Sequence, residues 1–379
     1  MSIRQMFPGS IVKPGFNPLV APTPTYIYNL FSWGANVAGQ LGVNNLTNYS
    51  SPVQVGSQYW TAISSSNQAS FAIKTDGTLW VWGTGSSGQL GLGNTNSYSS
   101  PKQLGALTTW STVNAYNAYT AAIKTDGTLW TWGYNSGGNL GLGTTTGTSS
   151  PQQVGALTNW LKLGGGNSYM LAVKTDGTLW AWGGNYVGRL GLGNTTYYSS
   201  PKQVGSLTAW LFVSTNYSSS FAVKTDGTLW AWGLNNFGQL GFGNTTNYNS
   251  PKQIGSLTNW LSIAGGYYHS VAVKTDNTFW SWGRSNFGQL GLGNLTSYSS
   301  PKQVGSLTNW LSVSSGVYCS YGIKTDGTLW SWGRGHLGNL GLGNTSSYSS
   351  PKQVGSLTTW SKIASNQVGA ANQTALALG

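Results

Sequence analysis

Residues 224–233 read Lys-Thr-Asp-Gly-Thr-Leu-Trp-Ala-Trp-Gly, an Asp-Gly pair leading into alternating apolar positions. Asp-Gly favours a tight hairpin turn, because Gly tolerates positive φ and Asp bonds to nearby backbone amides. In the extended segment that follows, Trp230 and Trp232 are two residues apart and share one side of the strand. The segment is not unique. Lys-Thr-Asp begins at Lys74, Lys124, Lys174, Lys224, Lys274 and Lys324, a period of 50 residues. Trp-Gly recurs at Trp33, Trp82, Trp132, Trp182, Trp232, Trp282 and Trp332, each trailed by Gly-x-Leu-Gly as in Gly238-Gln239-Leu240-Gly241. Seven units result. The first spacing is 49, because one residue is missing between Pro52 and Trp60, within a connection.

Each unit holds four short stretches rich in β-branched and aromatic residues, separated by Gly, Ser, Asn and Thr. In one unit they are A (residues 201–205, PKQVG), B (210–214, WLFVS), C (220–224, SFAVK) and D (228–233, TLWAWG). No segment has helical periodicity long enough to compete. Four strands per unit, repeated seven times, predict an all-β, seven-bladed β-propeller of four-stranded blades over residues 25–379. The ends predict closure. The last unit stops at Gln373-Thr374-Ala375-Leu376-Ala377-Leu378-Gly379, a C strand without a D, and the first begins with a D strand, Tyr26 to Gly34, without a C. N- and C-terminal strands together complete one blade, removing two open edges.

Composition limits function. Of 379 residues 55 are Gly, charged residues make up 6%, and the six acidic residues are all Asp. With two His and one Cys as well, most of the equipment for acid/base, metal and thiol chemistry is missing, so no catalytic residue, metal site or cofactor is expected and an enzyme is improbable. Aromatic content of 13% supplies ample core. The net charge of +12 favours anionic partners without choosing among them. No window approaches 18 consecutive apolar residues, so no membrane insertion is expected. The N-terminus lacks the apolar run of a secretory signal, and a single Cys allows no internal disulfide; synthesis in a cytoplasm is expected.

Gly-Gln-Leu-Gly-x-Gly, the following Pro-x-x-Val, Gly266-Tyr267-Tyr268-His269-Ser270 and the Asp-Gly-x-x-x-x-Trp-Gly ending resemble the repeat of the regulator of chromosome condensation family, a seven-bladed propeller. The resemblance runs from residue 25 to 379. It implies the fold and leaves function open, since the family includes a nuclear exchange factor for a small GTPase that docks on chromatin, a plant UV-B photoreceptor and a bacterial inhibitor of β-lactamases. Repeat proteins of this type also resemble predicted structural proteins encoded by tailed phages. The photoreceptor's Gly-Trp-Arg-His-Thr motif is absent, and the exchange factor's acidic residues have no counterparts on the face that carries the variation between repeats.

Alternating strand directions sort the loops between the two faces of the disc. The A–B and C–D connections form a monotonous face. The B–C and D–A connections form the opposite one, which carries the variation: Tyr116, Tyr119, Tyr134, Asn135, Tyr169, Asn185, Tyr186, Tyr217, Asn235, Asn236, Phe237, Tyr267, Tyr268, His269, Arg284, Asn286, Phe287, Tyr318, Arg334 and His336. Tyr offers large contact area at low entropy cost and Asn adaptable hydrogen bonds, so this set reads as a ligand- or partner-binding face. Arg189 joins Arg284 and Arg334 in making it mildly basic. His269 and Cys319 fall at equivalent places in adjacent units but lack an orienting carboxylate, so no nucleophilic pair is expected. The Trp pairs read as packing between blades, the six Asp as turn caps and the repeated Lys as a ring of solvated charges, which makes nucleic acid an unlikely partner.

Residues 1–24 contain five Pro and no repeat, and read as an extended arm for assembly, with Arg4, Phe7, Pro8, Lys13, Phe16 and Pro18 as its contact residues. Near-identical repeats, polarity from Ser, Thr and Asn, no export signal and this arm together suggest a non-enzymatic virion protein of a tailed phage. In that reading residues 1–24 bind other virion proteins, and the Tyr/Asn-rich face meets host-surface glycans, a receptor or neighbouring virion proteins. The alternatives are a soluble protein-binding propeller and a regulator of a small GTPase or chromatin.

Overall fold

The computed structural model describes residues 28–365 and 373–379, and the arm expected over residues 1–24 lies outside them. In these residues 28 strands form seven antiparallel sheets of four. Six blades are continuous in sequence: blade 1 (60–103), blade 2 (110–153), blade 3 (160–203), blade 4 (210–253), blade 5 (260–303) and blade 6 (310–353). Blade 7 joins the termini. Its B and C strands are Lys362–Ser365 and Thr374–Leu378, its D and A strands Leu30–Gly34 and Tyr49–Gln54. Leu30 stands opposite Leu378 and Gly34 opposite Thr374, the closure expected from the sequence.

Strand order within a blade differs from the A-B-C-D reading. In blade 4 the strands are B (Trp210–Thr215), C (Ser219–Lys224), D (Leu229–Gly233) and A (Tyr248–Gln253), and A pairs with the D strand that precedes it. Trp230 lies opposite Gln253 and Ala231 opposite Lys252, with an irregularity before Gly233 meets Tyr248. Proline explains the placement. Pro251 cannot donate to a second neighbour, and the outer edge asks for none. Strand directions are unchanged, so the two faces keep their loops. The B strands meet one another in a ring around the axis.

Period-two alternation makes the contacts between blades. Phe221, Val223, Leu229 and Ala231 of blade 4 pack against Trp260, Ile263, Ala272 and Trp282 of blade 5 in one buried cluster. Each buried indole removes about 200 Å² from water, about 5 kcal/mol at ~25 cal/mol per Å². Its N–H is also satisfied: Trp282 Nε1 donates to the Gln239 carbonyl at 2.8 Å. The Gly-x-Leu-Gly turn makes room for the ring, since at Gly241 (φ +82°) a Cβ would sit 2.9 Å from Trp282 Nε1. The same bond recurs round the ring and closes with Trp33 Nε1 donating to the Asn339 carbonyl at 2.8 Å.

The inner edges of the B strands would otherwise leave backbone N–H groups unpaired. Serine hydroxyls meet some of them across blades: Ser64 Oγ accepts from Ala115 N at 2.8 Å and Ser214 Oγ from Gly265 N at 3.3 Å. Between the B strands lies a cavity of about 190 Å³ lined by Ser64, Ser65, Asn114, Ser314 and Ser365 among others. No helix among the described residues is long and apolar enough to cross a membrane.

Candidate functional site

The hairpin face is occupied by its own hydrogen bonds. Asp226 Oδ1 accepts from both the Thr228 backbone N–H (2.9 Å) and the Thr228 hydroxyl (2.7 Å), which hold its carboxyl below the usual range. Thr228 Oγ1 in turn accepts from Trp230 Nε1 at 2.9 Å. Asp76, Asp126, Asp176, Asp276 and Asp326 do the same. The neighbouring lysines are not the solvated ring expected of them. Lys74, Lys124, Lys174, Lys274 and Lys324 lie 3.6–3.8 Å from the ring centroids of Trp80, Trp130, Trp180, Trp280 and Trp330, and Lys174, Lys274 and Lys324 are buried.

On the opposite face the structure divides the expected residues. Asn135, Asn185 and Asn235 are buried staples of the D–A loop: Asn235 Nδ2 donates to the Asn244 and Thr246 carbonyls while its Oδ1 accepts from Leu240 N. Tyr119 and Tyr169 are buried between blades, their hydroxyls donating to the Tyr169 and Ser219 carbonyls at 2.6 and 2.7 Å. Tyr116 is buried too, lying across Gly165 of the next blade, where a Cβ would strike its ring. Arg189 is sandwiched between Tyr169 and Tyr186 and spends Nε on the Gly184 carbonyl at 2.7 Å. These residues are buried and shape the loops.

His269 and Cys319 are also interior. His269 Nε2 is 2.9 Å from Ser320 Oγ, and burial lowers its pKa to about 3, keeping the ring neutral. Burial pushes the Cys319 thiol up to about 11, and its contacts are Tyr321, Asn339 and Gln373. A thiol held protonated and bonded elsewhere is a poor nucleophile.

What stays accessible is concentrated. Tyr134 stands exposed on blade 2, and Tyr186 on blade 3 bonds to Ser218 Oγ. Over blades 4 to 6 the rings join into one arc. Tyr217 packs on Tyr267 (centroids 4.5 Å apart), Tyr267 on Tyr268 (4.4 Å) and Tyr318 (6.1 Å), Tyr268 on Phe237 (4.7 Å) and Tyr318 on Phe287 (5.2 Å). Burial first, then the neighbouring Tyr268 and Tyr217, raises the Tyr267 hydroxyl above the ordinary phenol range, so it stays a neutral donor. Arg284 and Arg334 lie over this arc, with Asn236, Asn286 and His336 exposed beside it.

Sequence reasoning passed over one surface feature. Leu107, Leu157, Leu207, Leu257, Leu307 and Leu357 are exposed on the hairpin face, in six of its seven A–B connections, although the sequence of that face reads as monotonous. The signal was available: each Leu stands inside a turn, outside any strand alternation.

The repeat described as the regulator of chromosome condensation (RCC1) repeat matches seven successive segments, residues 29–73, 76–123, 126–173, 176–223, 226–273, 276–323 and 326–370. No curated protein matches the chain. Among solved structures it is similar to human WBSCR16, at 19% identity and a TM-score of 0.82, covering 93% of this chain and 98% of that one. It is also similar to yeast RCC1 (Prp20) as bound to Kap60, at 20% identity and a TM-score of 0.81, covering 93% and 89%. A further match is Prp20p from Saccharomyces cerevisiae, described with its binding properties to Gsp1p and histones, at 20% identity and a TM-score of 0.81, covering 94% and 92%.

Proposed function

Because the chain belongs to the regulator of chromosome condensation (RCC1) repeat family, we propose that it is a non-catalytic propeller that docks a protein partner on the face formed by its B–C and D–A loops. One observation carries the reading: the continuous arc of Tyr217, Phe237, Tyr267, Tyr268, Phe287 and Tyr318 over blades 4 to 6, with two arginines upon it. Half-buried Tyr and Arg grouped in this way are the residue types that dominate protein–protein hot spots. The surrounding Asn and Tyr side chains are committed to the loops, so the arc is presented by a preorganised frame, which lowers the entropy cost of binding.

A tailed-phage virion protein, anchored by residues 1–24 and binding glycans, draws on sequence features alone: near-identical repeats, polarity from Ser, Thr and Asn, no export signal and the Pro-rich arm. The soluble protein-binding reading draws on the family and on the arc, and the binding described for Prp20p agrees with it. The test places a photo-crosslinking amino acid at Tyr268 and, as a control, at Leu207 on the opposite face, in the cells that make the protein. Adducts with a protein at Tyr268 and none at Leu207 are expected. Equal adducts at both positions, or none at Tyr268, would overturn the proposal.

A further inference from the structure

We infer that Arg284 and Arg334 form a paired clamp for carboxylates on an acidic segment of the partner protein, an inference that rests on the face proposed above. Phe237, Tyr268 and Arg284 make one cluster, with the guanidinium 4.7 Å from the Phe237 centroid and 5.8 Å from Tyr268. Fifty residues on, Phe287, Tyr318 and Arg334 repeat it at 5.0 and 5.8 Å. Tyr267 bridges the two clusters. The other blades lack the combination: one blade earlier the same places hold Val187, Ser218 and Leu234, and one blade before that Gly137, Ser168 and Gly184.

Each guanidinium lies over the rings of its own cluster and is half-buried there. Among the described residues neither guanidinium meets a carboxylate or a hydrogen-bond acceptor, in contrast to the buried Arg189. No acid of this chain can supply one. There is no Glu, and the six Asp sit in the C–D turns of the other face, engaged by Thr. Two charges fixed by ring stacking, without internal partners, on an otherwise uncharged aromatic surface call for anionic groups from outside.

The planar fork fits a carboxylate through two parallel bonds. A polyanion is a poorer fit, because the loops of this face contain no Lys, and nucleic-acid binding commonly uses about 6–10 phosphate contacts. The flanking rings suit the apolar part of a peptide lying between its acidic side chains.

The test titrates the isotope-labelled protein with a short peptide of alternating Glu and Gly, its Gln counterpart, an oligo-dT strand and a heparin oligosaccharide, reading the Nε–Hε signals of Arg284 and Arg334 by NMR. The Glu peptide is expected to shift both signals saturably and the Gln peptide to leave them in place. Arg284→Leu and Arg334→Leu each weaken binding about fivefold and the double variant about 25-fold. Both variants fold, since Leu234 stands at the same place one blade earlier. Equal binding of the Gln peptide, full binding by the double variant, or tighter binding of oligo-dT or heparin at these signals would overturn the inference. A crosslink at Tyr268 that survives in the double variant would then leave the face standing without its acidic ligand; no crosslink in the wild type would remove both.

Discussion

His269 offers a quantitative test of how a side chain becomes structural by position. It opens the C strand of blade 5, is fully buried, and bonds through Nε2 to Ser320 Oγ of the next blade. Burial moves its pKa from 6.5 to about 3, so the folded protein excludes a proton that the unfolded chain accepts. The sign follows from that: the neutral ring's contribution is complete above pH 6.5 and is lost as pH falls toward 3. Between the unfolded value of 6.5 and a pH near 4, at about 1.36 kcal/mol per pH unit, the loss comes to about 3 kcal/mol. The comparison is with His269→Tyr, since Tyr119 and Tyr169 hold the equivalent places in blades 2 and 3, and with His269→Ser, since Ser219 holds it in blade 4. Urea unfolding of all three proteins from about pH 7 to about pH 4 gives the readout. The six Asp, also held below their usual range, weaken every variant alike as pH falls and cancel in the difference. The wild type should lose about 3 kcal/mol more than either variant. Parallel pH profiles would refute the claim that burial holds the imidazole neutral at this position.

Three further outcomes are expected. Gly255 and Gly241 both have positive φ, but a Cβ at Gly255 meets nothing within 4 Å, whereas one at Gly241 meets Trp282. Gly255→Ala should cost about 1–2 kcal/mol and Gly241→Ala about 1–3 kcal/mol more in urea unfolding, and equal losses would show that the Gly-Trp contact is unimportant. Deleting residues 374–379 removes the strand that pairs with Leu30–Gly34 and the buried Leu376 and Leu378, so size-exclusion chromatography should show aggregation; a monomer as compact as the wild type would argue against closure by the termini. Cys319, its thiol pushed up to about 11 by burial, should resist iodoacetamide near pH 8 in the native protein and react in urea, and rapid native alkylation would place it at the surface.

Much of the fold was legible because its signals are local. An Asp-Gly turn, a Trp at every second position and a Gly-x-Leu-Gly turn each report on a few adjacent residues, and seven copies leave little room for another architecture. Even the closing blade could be read from a missing D strand at one end and a missing C strand at the other. The position of strand A was less legible, because Pro-Lys-Gln marks an edge without saying whose edge it is. In the structure it is the outer edge of the unit before.

The candidate surface was legible as a face and illegible as a site. Asn235 and Asn236 are adjacent in the chain, yet one is a buried staple and the other is exposed. Tyr116 disappears into the interior because the facing residue on the next blade is Gly165, while Tyr267 remains at the surface between Tyr217 and Tyr318. Lys174 reads as a surface charge and lies against Trp180. The sequence by itself determined the number of blades, their strands, their closure and the separation of a uniform face from a varied one, since all of these repeat with the chain. Tertiary structure alone decided which varied residues are available and that Arg284 and Arg334 stand on aromatic rings. The physical reason is distance along the chain: the exposure of a loop side chain is set by the residue about 50 positions away that packs against it from the neighbouring blade.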